Sequence, residues 1–174
     1  MPDEVPKLTL LQQREIEARV LGPLIRAVQA ELGEEKALHL LRRVIAELAH
    51  QSGAALARQV GEATLTAFAC SRERWTEGGA LELELLEQSP ERFSFNVTRC
   101  RYAEMYRALG LADLGSSLSC GRDFALIEGF NPAIRLTRTQ TIMEGASHCD
   151  FRFVAPGAAP PTEESPGGVA GAAR

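Results

Sequence analysis

Hydrophobic residues in the first third of the chain recur at intervals of three and four. Ile16, Val20, Leu24 and Val28 follow Thr9 and Gln12, whose spacing suits a capping box, and Leu32-Gly33 supplies a C-terminal stop. This predicts a helix over about 9–32. Gly22-Pro23 should kink or split it, because proline lacks an amide donor and its ring clashes with the preceding turn. From Glu34, the residues Ala37, Leu41, Val44, Leu48 and Ala55 mark one face of a second helix ending near Gly61, with Arg42, Arg43, Glu47 and Gln51 mostly opposite. Residues 62–75 are less periodic but free of breakers, which fits a shorter third helix before the Gly78-Gly79 turn.

The period then falls to two. Leu81, Leu83 and Leu85 alternate with Glu82 and Glu84, and after the turn Ser89-Pro90-Glu91 so do Phe93, Phe95 and Val97 with Ser94, Asn96 and Thr98, as in an antiparallel hairpin with one apolar face. Helices are expected over 101–109, ending at Gly110, and over 114–128, ending at Gly129. Asn131-Pro132 leads into an extended stretch, 134–143. A turn at Glu144-Gly145-Ala146 then starts a last strand, 149–154, with Cys149, Phe151 and Phe153 on one face. The expected fold class is α+β, with N-terminal helices packed on an antiparallel sheet of about four strands and ββααββ order in the C-terminal part. A helical pair, 1–61, and a core, 62–154, should form one domain. Residues 155–174 are rich in Pro, Gly and Ala without large apolar side chains, and are expected to be a disordered tail.

Composition narrows the function classes. With 45% hydrophobic residues in 174, the chain can build a core of ordinary size. A net charge of -4 without a basic stripe argues against a nucleic-acid partner. No apolar run approaches the roughly 18 to 20 residues of a membrane span, and MPDEVPKLTL lacks the basic and apolar regions of a signal peptide, so the expected location is cytoplasmic. In that compartment Cys70, Cys100, Cys120 and Cys149 should be reduced. There is no G-x-S-x-G elbow, phosphate loop, H-E-x-x-H or dinucleotide fingerprint.

Polar residues with chemical potential concentrate between Arg99 and Arg152. The segments FNVTRCRYAEMYRALG, CGRDFALIEGFNP and LTRTQTIMEGASHCDFRF resemble, with spacing intact, the successive signatures of the L-2-amino-thiazoline-4-carboxylic acid hydrolase family. That resemblance implies hydrolytic opening of a cyclic amidine or related ring in a small-molecule substrate; a covalent thiol mechanism for it would need no cofactor. More loosely, the cysteine before a helix pair and the glycine turn leading to Cys-x-Phe are similar to the small-molecule-binding domains named after vinyl reductase, which implies a ligand- or metal-binding module without turnover.

Read from the residues, Cys100 stands where a strand gives way to a helix, and a thiol at a helix N-terminus can have its thiolate favoured, as a nucleophile requires. A small buried hydrophobe explains Cys100 equally well. Cys120 and Asp123, at i and i+3, share a helix face and suit a thiol with an orienting carboxylate, or two metal ligands. Glu104 and Tyr106 are candidate proton-handling or orienting groups near Cys100. Arg138, between two threonines, offers a fork matched to a substrate carboxylate, and Arg99 is a second choice. Asn131 is counted with the substrate-facing polar residues, although Asn131-Pro132 reads first as turn chemistry. The alternative to a covalent thiol mechanism is zinc held by Cys100, Cys120 and Cys149, whose spacing is not that of close zinc-ligand pairs.

Overall fold

The computed structural model describes residues 7–158; residues 1–6 and 159–174, which hold most of the expected tail, lie outside the described residues. The helices are α1 (Leu10–Leu32), α2 (Glu34–Val60), α3 (Leu65–Cys70), α4 (Glu73–Thr76), α5 (Arg101–Ala108), α6 (Ala112–Gly115) and α7 (Arg122–Phe130). The strands are β1 (Leu81–Gln88), β2 (Arg92–Cys100), β3 (Arg135–Thr137) and β4 (Cys149–Val154), in one antiparallel sheet of order β1-β2-β4-β3. The fold is α+β, with helices packed on that sheet.

Helix α1 starts at the expected capping box: the Gln12 amide donates to Thr9 Oγ1 at 3.2 Å and the Thr9 amide to Gln12 Oε1 at 2.9 Å. It runs unbroken through Pro23, so the proline does not split it. Burial of Ala18, Gly22 and Ile25 on the same helix offsets the one amide bond that proline removes. The buried face also differs from the one that large apolar residues suggest. Ile16, Val20 and Leu24 are more than half exposed. In α2 the buried line is Ala37, Leu41, Ile45, Ala49, Gly53 and Leu56, while Val44 and Leu48 face outward.

Small residues win because they let backbones touch. A Cβ on Gly53 would stand 2.0 Å from the Leu126 carbonyl oxygen, and one on Gly129 would stand 2.0 Å from that of His50. Helices α2 and α7 thus meet backbone to backbone, at a separation that larger side chains would prevent.

Three other expectations are revised. The helix expected over 114–128 is interrupted by a π turn, Ser116–Cys120, closed where the Gly121 amide donates to the Ser116 carbonyl at 2.9 Å. The extended stretch expected over 134–143 leaves the sheet after Thr137. There the Asp150 carboxylate accepts from the amides of Thr139 and Gln140, each at 2.9 Å, and from the Thr139 hydroxyl at 2.7 Å. These bonds replace the ladder partners the strand would otherwise have. Leu85, expected on the apolar face, is exposed next to an irregularity in the β1–β2 register.

Register places Val97 opposite Cys149, Phe95 opposite Phe151 and Phe93 opposite Phe153, so one sheet face is a wall of aromatic and aliphatic groups. This wall, α3 and α7 form one buried cluster, with Phe68, Phe93 and Phe130 at its centre. A second cluster joins α1, α2, α5 and α6 around Tyr106, Leu114 and Leu118. Cys100 and Ile142 pack against both.

Candidate active site

Between the sheet wall and the helices lies a cavity of about 130 Å³. Its apolar part is built by Phe68, Trp75, Leu81, Leu83, Phe95 and Phe151, and its polar part by Cys100, Cys120, Asp123, Arg138, Arg14 and Arg122. The polar groups arrive by several routes. Strand β2 ends at Cys100, which caps α5 as the Ala103 amide donates to its Sγ at 3.4 Å. The π turn delivers Cys120, and the first turn of α7 delivers Arg122 and Asp123. Arg138 follows the point where β3 leaves the sheet. Cys149 opens β4 on the wall side, and its Sγ accepts from the Ile142 amide at 3.2 Å.

Both terminal nitrogens of Arg138 are engaged. One Nη pairs with the Asp123 carboxylate, the other donates to the Cys120 carbonyl at 3.1 Å, and the guanidinium lies 5.1 Å and 5.2 Å from the ring centroids of Phe124 and Phe151. Its side chain is 8% exposed and that of Asp123 38%. Asp123 lines the cavity, partly withdrawn from water by the groups around it. This burial raises its pKa to about 6, against the opposing pull of Arg138.

The thiols are not poised as thiolates. Burial pushes Cys100 up to about 11, exceeding the effect of the Ala103 amide that favours the anion. Cys120 is pushed to about 12, first by burial and then by the charge of Asp123. Burial raises Cys149 as well. The expectation that a helix start would favour the Cys100 thiolate is therefore reversed: one amide donor does not replace lost water.

Of the residues singled out in the sequence, Cys100, Cys120, Asp123, Arg138 and Cys149 meet at the cavity. The others lie elsewhere. Arg99 and Glu104 form an exposed pair at 2.8 Å, with Glu82 at 3.3 Å from the same guanidinium. Tyr106 is buried in the helical cluster, where burial drives its pKa to about 12. Asn131 donates to the Ala63 carbonyl at 2.7 Å and accepts from the Ala133 amide at 2.9 Å, tying the exit of α7 to the segment after α2. His148 contacts Gln140 and Ser147, and His39 and His50 are exposed on α2. Among the described residues, no group of three or more His, Cys, Asp or Glu side chains is arranged to hold a metal ion. No described helix is long and apolar enough to cross a membrane.

A family model described as L-2-amino-thiazoline-4-carboxylic acid hydrolase matches residues 13–153, a span that includes every polar cavity residue named above. The chain belongs to the L-2-amino-thiazoline-4-carboxylic acid hydrolase family. Comparison with curated proteins gives no match. Among solved structures, this family member is similar to the phenol-responsive sensory domain of the transcription activator PoxR with phenol. The TM-score is 0.51 and the identity 15%, over 78% of this chain and 73% of that one. It is also similar to a trafficking protein particle complex subunit 3 from Naegleria fowleri covalently bound to palmitic acid, with a TM-score of 0.48, 10% identity, and 82% and 94% coverage. The first likeness shows a shared fold.

Two charged cavity residues of this hydrolase-family chain escaped the sequence reading. Arg14 lies on α1 and Arg122 beside Asp123 on α7. The carboxylate of Glu17 joins them, accepting from Arg14 at 2.6 Å and Arg122 at 3.2 Å. The i, i+3 pair of Arg14 and Glu17 was visible as helix spacing, but nothing in spacing links residue 14 to residue 122.

Proposed function

We propose that this chain hydrolyses a small nitrogen-containing ring, a cyclic amidine such as 2-amino-thiazoline-4-carboxylate or a related heterocycle, in the cavity between sheet and helices. The observation that carries this reading is the convergence of Cys100, Cys120 and Asp123, from separate elements, on one cavity within the family-matched span. The size agrees. An apolar cavity of about 150 Å³ admits benzene, so a space of about 130 Å³ suits a single five- or six-membered ring.

Cys100 is the first-choice nucleophile, because Cys120 carries the added penalty of the Asp123 charge. With a resting pKa of about 11, Cys100 attacks as its proton leaves. The Sγ–carbon bond forms at the amidine carbon and the thiol proton goes to a basic amidine nitrogen of the substrate. A ring bond to that carbon then breaks. Water attacks the carbon next, giving one proton to Asp123 and keeping the other on the product, and the Sγ–carbon bond breaks as Asp123 passes its proton to the departing Cys100 sulfur. The sum is one water added across one ring bond. Asp123, with a pKa of about 6, is matched to proton transfer near neutral pH. Arg138 holds Asp123 in place.

The raised thiol pKa values favour a second reading, a small-molecule-binding module of the vinyl-reductase type without turnover, in which the thiols serve as cavity lining. Incubating the full chain with thiazolines, cyclic amidines and hydantoin-like rings under mass detection separates the two. A product heavier by one water supports the hydrolase. Thermal stabilisation by several rings with no product from any would replace it with the binding module.

A further inference from the structure

Arg138, the arginine that sequence position marks as a substrate anchor, is already neutralised by Asp123. The other two arginines of the cavity are in a different state. Arg14 and Arg122 are 16% and 12% exposed, and one carboxylate, Glu17, serves both. Arg14 reaches both oxygens of Glu17 through its Nη1 alone. Arg122 donates its Nη2 to Glu17 and its Nε to the Leu118 carbonyl at 2.8 Å. Among the described residues, the Nε and Nη2 of Arg14 and the Nη1 of Arg122 have no bonded acceptor. No described side-chain donor without a partner is sealed from the surface, so these nitrogens keep accessible area. Both residues line the cavity.

We propose that Arg14 and Arg122 form an anion subsite that anchors the carboxylate of a ring-bearing substrate, and that Arg138 is not that anchor. Three arginines and one carboxylate, Asp123, line the charged end of the cavity, and Glu17, outside the lining, pairs with Arg14 and Arg122; counting both carboxylates still leaves one positive charge in excess, in a chain whose net charge is -4. Against an apolar wall that excess is less screened than on an open surface, and a planar carboxylate matches the guanidinium fork. The electrostatics agree: burial lowers the pKa of Arg122, and the charge of Arg14 lowers it further, a strain that a bound anion relieves. Glu17 acts as the positioning residue that holds both arginines at the cavity. A heterocycle then lies with its carboxylate toward α1 and α7 and its ring against Phe95 and Phe151, which stack 4.9 Å apart. The proposal rests on the cavity being the ligand pocket, but does not require turnover.

The test uses ligands that offer no amidine carbon. Binding of pyrrole-2-carboxylate and of its neutral isostere pyrrole-2-carboxamide is measured by titration calorimetry on the full chain and on the Arg14→Met, Arg14→Lys, Arg122→Met and Arg138→Met variants. Wild type should bind the acid at least about tenfold more tightly than the amide, the loss of one charge-assisted contact. Arg14→Met and Arg122→Met should erase the preference, Arg14→Lys should keep part of it, and Arg138→Met, which lowers the total charge but leaves the two-arginine fork in place, should also keep part of it. Equal binding of acid and amide by wild type, or no binding of either at millimolar concentration, overturns the subsite whether or not the variants fold. So does loss of the preference in Arg138→Met with retention in Arg14→Met. A protein that prefers the acid in this assay yet hydrolyses no ring keeps the anion subsite and loses only the hydrolase reading.

Discussion

Two arginine groups line the polar end of the cavity, and they differ in charge balance rather than in burial. Arg138 is 8% exposed and matched by Asp123; Arg14 and Arg122 are 16% and 12% exposed and share Glu17. In the first group the aromatic rings of Phe124 and Phe151 and the Cys120 carbonyl hold the guanidinium, so it can steady the Asp123 carboxylate but has little left for a ligand. The second group retains donors and a surplus charge. An arginine in a pocket is an anchor only if its charge is still unspent there, and that property depends on its neighbours rather than on its place in a motif.

The comparison assigns chemistry to the side of the balanced pair, and the largest expected effect tests this. Cys100→Ser should lower turnover of any ring substrate by at least about 10³-fold, while circular dichroism and the binding of pyrrole-2-carboxylate stay unchanged. Near-normal turnover would transfer the nucleophile's role to Cys120 or to a metal-bound water.

Replacing the carboxylate of the balanced pair should come next in size. Asp123→Asn is expected to reduce turnover about 10² to 10⁴-fold. In the wild type, turnover should rise with pH through about 6 as Asp123 ionises, and this limb should vanish in the variant. The stability effect has a definite sign. A folded pKa raised above the unfolded value means that the native state holds the proton more tightly, so this contribution is fully present below about 4 and is lost as pH rises through about 6. Relative to Asp123→Asn, the wild-type melting temperature should therefore fall between pH 4 and 7. A parallel pair of melting curves across that range would contradict the raised pKa.

Breaking each group from its cationic side sharpens the contrast. Arg138→Met leaves Asp123 without its partner and should cost about 2 kcal/mol, kept from being larger by the surface that Asp123 turns toward the cavity. Arg14→Met removes one of two repelling guanidiniums while Glu17 retains Arg122, so the cost should stay under about 1 kcal/mol. Urea melts would read the order directly, and a costlier Arg14→Met would show that the second group is balanced after all.

The smallest effect is expected outside the cavity. Arg99→Ala, which breaks an exposed pair with Glu104, should leave turnover and melting temperature indistinguishable from wild type. A measurable fall in turnover would bring Arg99 back as a substrate residue.

Period and punctuation along the chain determined the type and order of its elements: two long N-terminal helices, the hairpin of β1 and β2, α5 closing near Gly110, and β4 with Cys149, Phe151 and Phe153 on one face. These features are local, arising from capping, turn chemistry and alternation over a few residues. The motif segments also located five of the residues that line the cavity, Cys100, Cys120, Asp123, Arg138 and Cys149. Tertiary structure decided what depends on distant neighbours. It chose Gly53 and Gly129 over larger residues as the contact between α2 and α7, because close approach of backbones rewards the absence of a side chain. It inserted a π turn before Cys120, and released the chain from the sheet where Asp150 captures the amides of Thr139 and Gln140. It buried Cys100 deeply enough to raise rather than lower its pKa, and it joined Arg14 to Arg122 through one shared carboxylate. Desolvation and charge balance are sums over everything that surrounds a group, and most of what surrounds these groups comes from other parts of the chain.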